Sequence, residues 1–151
     1  MKHTIRFRKW LLALSTGFLS AAAVSSTALH AQTVSFAGTQ ITVFGGFDRP
    51  IGVAVDAAGD VFVADQGNSQ VVKFAPNGAQ TTVGSGFTTP AGIAVDNAGD
   101  VFIADSTKDQ VVEVTPSGQQ TTVGSGLNQP FGAAVDARGN VFIADCEFST
   151  A

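Results

Sequence analysis

The residues of this chain that could do chemistry are carboxylates at regular spacing. Asp56, Asp96 and Asp136 each stand three residues before a glycine. A carboxylate placed there accepts hydrogen bonds from the backbone amides that follow, which is turn chemistry. The alternative is a calcium site, since Asp56 and Asp60 offer oxygens four residues apart, but a calcium loop has denser ligands and about six to eight oxygens. We predict structural carboxylates and no cofactor, with Ca²⁺ at one repeat as the weaker alternative.

A second carboxylate set closes an apolar segment in each repeat, at Asp65, Asp105 and Asp145. A residue that every repeat needs is more easily explained by the structure of the repeat than by catalysis. We therefore predict that these three are hydrogen-bonded structural groups.

Few other residues could support catalysis. Imidazoles occur only at His3 and His30, so the rest of the chain holds no Ser-His-Asp or Cys-His arrangement and no histidine ligand for zinc. Cys146 is the single cysteine and is predicted to have no redox or disulfide role. The Gly-rich segment 81–86 lacks the lysine and the helix of a phosphate loop, and is predicted to be an outer strand and connection instead. No catalytic residue is predicted, which argues against an enzyme without deciding the question.

The elements that carry these residues are repeated every 40 positions. Residues 50–89 and 90–129 align without gaps and are identical at 24 of 40 positions. Each unit has the pattern of four short strands, predicted in the first unit at residues 52–56, 61–65, 70–74 and 80–83, with turn residues between them. The second strand is apolar on both faces, as expected when a sheet is covered on both sides. Four strands and about forty residues per repeat predict the blade of a β-propeller, with a flat β-solenoid as the alternative.

The motif Gly52-x-Ala-Val-Asp56-x-x-Gly59-Asp60-Val-Phe-Val-Ala-Asp65, followed by Asn68-x-Gln70, resembles the NHL repeat. More distantly it is similar to six-bladed propellers that include virginiamycin-type lyases, peptide-amidating lyases and gluconolactonases. The resemblance implies an all-β propeller. It departs from the family where Gln70 and Gln110 replace a frequent basic residue, and where Lys108 replaces the Asn of the motif. The lyases and lactonases imply His or clustered Asn, Glu and Asp ligands around the channel, and no residue here matches those position by position.

The first 31 residues have the order of a secretory signal peptide. A cationic start that includes Lys2 and Arg6 precedes an apolar run of about 14 residues and small residues near Ala31. That run is short for a bilayer, so we expect cleavage, export to the periplasm, cell surface or exterior, and no membrane span afterwards. From Gln32 onward four basic residues face twelve acidic ones, a net charge of −8, which argues against nucleic acid and against an anionic membrane surface.

Specificity should lie at positions that differ between repeats on an otherwise constant scaffold. Five of these are the candidate binding surface: Arg49, Gln66, Lys73, Lys108 and Arg138. Further positions that vary are Asp48, Thr89, Asp109, Glu113 and Gln129.

The repeats add up to about three blades. Residues 33–49 are predicted to be the outer strands of a first blade, 50–89 and 90–129 complete blades, 130–145 the inner strands of a last blade, and 146–151 a non-repeat tail. Propellers close with about four to eight blades, so an incomplete ring with exposed apolar faces is predicted. Three outcomes remain open: a fragment of a longer propeller, a head-to-tail homodimer that completes a six-bladed ring, or a poorly folded chain.

The sequence predicts an exported, non-enzymatic binding or scaffold module for a protein, peptide or cell-envelope glycan. The alternative is a fragment of a propeller lyase or lactonase whose metal-binding catalytic residues lie outside this chain.

Overall fold

A computed structural model describes residues 3–8 and 40–146, with side chains from residue 45 onward. The described part is almost entirely β-structure, with two single 3-10 turns at Gln66–Asn68 and Ser106–Lys108. Its strands are β1 His3–Arg8, β2 Gln40–Phe47, β3 Pro50–Val55, β4 Val61–Asp65, β5 Gln70–Phe74, β6 Gln80–Thr82, β7 Pro90–Val95, β8 Val101–Asp105, β9 Gln110–Val114, β10 Gln120–Val123, β11 Gly132–Val135 and β12 Val141–Ala144.

The strands form two complete four-stranded sheets and two strand pairs. The first blade is the antiparallel meander β3-β4-β5-β6, and the second blade is β7-β8-β9-β10. A half-blade follows, in which β11 pairs with β12 alone among the described strands. The register repeats, since Ala54 faces Phe62, Ala94 faces Phe102 and Ala134 faces Phe142. The predicted four-strand repeat is confirmed.

Strands β1 and β2 pair as a separate ribbon. The chain divides into two compact units: β3 to β12 belong to the larger one, and the described residues 5–8 and 40–44 belong to the smaller one. Of the predicted signal peptide, His3–Arg8 is described as β1, and the remainder lies outside the described residues. The predicted tail 146–151 also lies outside them, except for Cys146. In the described residues, no helix is long or apolar enough to cross a membrane.

The first turn of each blade is built by its aspartate. Asp56 Oδ1 accepts hydrogen bonds from the amides of Ala58 and Asp60, both at 2.9 Å. Gly59 then takes a φ of +86°, which a residue with a Cβ rarely adopts. The turns at Asp96 and Asp136 repeat this pattern, so the predicted turn chemistry is confirmed.

The core lies between neighbouring blades. Phe62 and Ala64 of the first blade pack with Ile93 and Ile103 of the second in one apolar cluster. Phe102 and Ala104 of the second blade pack in another cluster with Ala133 and Ile143 of the half-blade. Strand β8 is therefore covered on both faces, and all five of its residues are buried. This confirms that the second strand is apolar on both sides because each side meets another sheet.

The ring is not closed, and its two outer faces are apolar. Large hydrophobic side chains that remain about half exposed lie on β3 and around the half-blade: Ile51, Val53, Val55, Phe131 and Phe142. The fold is an incomplete propeller, as the repeat arithmetic predicts.

Candidate functional site: a polar depression at the 3-10 end

Each blade has two ends that differ in chemistry. One carries the aspartate turns at residues 56–60, 96–100 and 136–140, and we call it the Asx-turn end. The other carries the two 3-10 turns together with the segments 48–49, 88–89 and 128–129 that lead into the next first strand, and we call it the 3-10 end. At the 3-10 end, all four residues 66–69 differ from their counterparts 106–109.

A polar depression of about 310 Å³ lies at the 3-10 end, across three successive repeats. Seven of its eight lining residues are polar, and the eighth is Phe131, whose side chain is 47% exposed. The lining comprises Gln66, Thr89, Ser106, Thr107, Asp109, Asn128, Gln129 and Phe131. Hydroxyl, amide and carboxylate groups therefore surround one aromatic ring.

Buried carboxylates fix the rim of this depression. Asp105 is fully buried and accepts the amides of Thr88 and Thr89 on its two separate oxygens, at 2.8 and 2.9 Å. Asp65, also fully buried, accepts the Asp48 amide and the side-chain amides of Asn68 and Gln70. A buried charge is tolerated only when such donors replace its hydration. These residues are the hydrogen-bonded structural carboxylates that the sequence predicts.

The rim is tied further by side chains of the second 3-10 turn. Ser106 Oγ donates to the carbonyl of Pro130 at 2.8 Å, within the protein interior. The Gln129 amide donates to Asp109 Oδ1 at 2.8 Å. The Thr89 hydroxyl donates a hydrogen bond to the Thr107 hydroxyl at 2.5 Å. The connection between repeats is thus bound to the turn beside it.

Backbone conformations that L-residues rarely adopt also gather at the 3-10 end. Among the described residues, non-glycine residues with positive φ are Arg49, Ser69, Asp109 and Gln129, at +46° to +53°. All four lie at this end. Arg49 and Gln129 each precede a proline, which restricts them further. Such residues persist only where the surrounding structure holds them, and they are typical of functional surfaces.

The five predicted surface residues are not brought together. Gln66 lines the depression, and Arg49 lies at the same end. Lys108 sits on the second 3-10 turn, where its ammonium donates to the carbonyl of Gly86 and lines a separate recess. Lys73 forms an ion pair with Asp60 at 3.0 Å near the other end, and Arg138 lies in an exposed Asx turn.

Most of the lining is absent from the five candidates. Thr89, Asp109 and Gln129 vary between repeats, and comparison of the units is the signal that finds them. The same comparison also finds the rest of the lining, because each residue differs from its counterpart 40 positions earlier: Ser106, Thr107, Asn128 and Phe131. Variation between repeats is therefore the useful signal, and a preference for charged residues is too narrow.

The carboxylates of the first Asx turn already have protein partners. In residues 3–8 and 40–146, no three His, Cys, Asp or Glu side chains gather as a metal site would require. Asp56 Oδ1 already faces two amides, and Asp60 already faces the Lys73 ammonium. In the third repeat, the side-chain amide of Asn140 is the main cause of a lowered pKa at Asp136, with the Asn140 backbone amide adding to it.

The stacked four-stranded sheets define an incomplete β-propeller. Residues 47–74 match the sequence profile of the NHL repeat, which confirms the resemblance. No curated protein sequence matches the chain significantly.

Solved structures that align with the chain include propellers. A nidogen/laminin complex aligns with a TM-score of 0.58 and 29% identity, over 64% of this chain and 39% of that one. A streptogramin B lyase aligns at 0.57 and 14% identity, over 76% and 46%. Virginiamycin B lyase from Staphylococcus aureus, in a catalytically inactive form with quinupristin, aligns at 0.53 and 12% identity, over 76% and 47%. The chain spans less than half the length of each of these structures.

Proposed function

We propose that this chain is an exported, non-enzymatic binding module that takes a protein, peptide or glycan ligand at its 3-10 end. The observation that carries the proposal is the polar depression whose rim is held by Asp65 and Asp105. A rim fixed before binding loses little conformational entropy when the ligand arrives. Export is inferred from the predicted signal peptide at residues 1–31, and amino-terminal sequencing of the mature protein tests it.

The lining favours a neutral, hydrogen-bonding ligand. Hydroxyl and amide side chains such as Thr107, Asn128 and Gln129 can both donate and accept, as sugar hydroxyls and peptide groups require. Phe131 adds an exposed ring against which an apolar ligand surface can stack. Asp109 and the net charge of −8 after the leader disfavour anionic ligands.

The solved structures supply one precedent for each class of function. The nidogen/laminin structure is a complex, and its similarity to this chain reaches 29% identity over part of the sequence. The lyase structures share the fold at much lower identity. An experiment must therefore decide between a binding function and lyase activity.

The experiment uses the full chain against a microarray of neutral oligosaccharides and peptidoglycan fragments, and against a phage-displayed peptide library. The double variant Gln129→Ala and Phe131→Ala removes two rim side chains, and Asn97→Ala, at an exposed residue, is the matched control at the Asx-turn end. We expect probes that bind wild type and control but lose at least about tenfold in affinity with the rim variant, since a few central residues carry most binding energy.

Two results would overturn the proposal. One is the absence of any probe whose binding depends on the rim residues. The other is consumption of quinupristin by the wild-type chain in mass spectrometry, which would favour a lyase instead.

A further inference from the structure

The contact between neighbouring blades is built twice in this molecule from the same repeat positions. In the first contact, Phe62 packs in the cluster that includes Ile93. In the second, Phe102 packs in the cluster that includes Ala133. We call the face of a blade that carries this phenylalanine its leading face. The opposite face of each blade carries, on the blade's own first strand, the residue equivalent to Ile93 or Ala133, and we call it the trailing face.

The same two positions lie uncovered at opposite ends of the array. Phe142, the third phenylalanine of the series, is 59% exposed, whereas Phe62 and Phe102 are 3% and 5% exposed. Val53, the counterpart of Ile93, is 48% exposed, whereas Ile93 is 7% exposed. Among the described residues, the half-blade thus presents an uncovered leading face at Phe142, and the first blade is uncovered on its trailing face along β3.

The uncovered part of the first blade is narrow. On the first blade the exposed apolar side chains are those of β3, whereas Val63, Val72 and Phe74 on the next two strands are buried. The ring of Phe47, at the end of β2, lies edge-on to Phe74 with centroids 5.7 Å apart. The uncovered strip of the first blade is therefore its innermost strand, β3.

Glycines give a second, independent sign. A Cβ built on Gly52 would lie 2.0 Å from the carbonyl oxygen of Ala91, and one on Gly92 would lie 2.6 Å from the Cα of Gly132. Each of these glycines admits the backbone of the next blade. Gly132 holds the same position, yet a Cβ there would meet only Ala144 of its own half-blade, at 3.1 Å. Gly132 therefore keeps the glycine of Gly52 and Gly92, although no described neighbouring blade packs against it.

We propose that a second copy of this chain docks head to tail, with the leading face of one half-blade on the trailing face of the other copy's first blade. The proposed contact repeats an interface that the molecule already contains twice, so the residues that would meet across it can be named. Phe142 would meet Val53 and Val55 of the second copy, and Gly132 would admit the backbone at Ile51. Two such contacts relate two copies, and the pair closes if the rotation permits.

The proposal is independent of the ligand proposed for the 3-10 end. The contact lies on the sheet faces, and the variants that test it leave Gln129 and Phe131 unchanged. A monomer could still bind a ligand, and a dimer could still fail to bind one.

The test is light scattering on the full chain over a hundredfold range of concentration. We expect a mass that rises from that of one chain, 15.4 kDa, to that of two. Phe142→Glu and Val53→Lys each place a charge on one face and should each weaken association by at least about a hundredfold, because an unpaired charge is costly to bury. Both side chains are exposed in the single chain, so circular dichroism should show an unchanged fold.

Mixing the two variants decides the geometry. In a head-to-tail pair of the two variants, the leading face of the Phe142→Glu chain meets the trailing face of the Val53→Lys chain, so opposite charges face each other in this contact. In the other contact, both faces are wild type. We expect the mixture to regain the mass of two chains. A wild-type chain that stays at the mass of one overturns the proposal, and so does a pair that one variant breaks and the other leaves intact, since that indicates contact between like faces.

A last outcome concerns folding. Should either charged variant lose its β signal, Phe142→Ser and Val53→Ser replace them in the same measurement. Retention of the wild-type dimer by both serine variants would place the contact elsewhere and overturn the proposal.

Discussion

Individual aspartates divide their work according to burial. Asp105 is fully buried and its two oxygens receive two different backbone amides, whereas Asp145, at the same place in the next repeat, is exposed and receives the amide of Asn128. Both side chains are carboxylates, but water can reach and hydrogen-bond only the exposed one, Asp145. Its contribution to stability should differ accordingly.

Asp105→Asn tests this difference. An asparagine has one acceptor oxygen, so it can satisfy the amide of Thr88 or that of Thr89 but not both. A buried donor left without a partner costs about 1–3 kcal/mol, and we expect the free energy of unfolding to fall by that amount. Urea unfolding followed by circular dichroism measures it.

Asp145→Asn is the matched control, because its carboxylate is exposed and its loss should change stability by less than about 0.5 kcal/mol. Equal losses in the two variants would show that burial does not decide what this aspartate contributes. A stable Asp105→Asn protein would contradict the account of how the rim is held.

At the scale of strands and turns, close approach between blades is set by single glycines. A Cβ on Gly92 would lie 2.7 Å from the carbonyl oxygen of Phe131 as well as close to Gly132. Both neighbours are backbone atoms, so they cannot turn aside as a flexible side chain would. The blades would have to separate along their inner strands.

Gly92→Ala should therefore lower the free energy of unfolding by about 3 kcal/mol, the upper part of the range for overpacked interiors. Gly45→Ala is the control, since a Cβ at Gly45 meets nothing within 4 Å and its φ is ordinary. Thermal and urea unfolding of both variants measure the effect. If the two substitutions cost the same, the inner strands have more room than the structure gives them.

The strands can be predicted from sequence because their signals repeat. Strands β4 and β5 coincide with the predicted ranges, and the turn at Gly59 has the expected positive φ. The site is less predictable. Gln66 lines the depression, but Phe131 and Ser106 join it only because the connection between repeats folds back on the second 3-10 turn. That contact spans 24 residues, so variation between the repeats marks these positions but does not show that they meet.

Charge is also a poor guide to the site. Lys73 varies between repeats, yet its ammonium is paired with Asp60, and Lys108 donates to the carbonyl of Gly86 in the preceding repeat. Both long side chains bind within the molecule. A sequence reveals that such a residue is variable and charged, but whether a partner lies within reach depends on the register of neighbouring strands.

For the whole molecule, a row of blades contacts only nearest neighbours, so the stability of each element depends on how many sides are covered. Strand β8 has blades on both sides and is buried throughout. Strand β12 has one covered side and exposes Phe142 on the other. Elements with fewer buried contacts open locally at lower free energy than the core.

Hydrogen exchange of the full chain should therefore show a gradient across the array. At low protein concentration, where single chains prevail, we expect amides of β8 to exchange at least about a hundredfold more slowly than those of β12. Raising the concentration should protect β12 and β3 together, because one face of each becomes covered by the other copy, while β8 stays unchanged. Mass spectrometry of peptides from these strands resolves them. Uniform protection at every concentration would mean that the blades unfold as one unit and that neither outer face gains a partner.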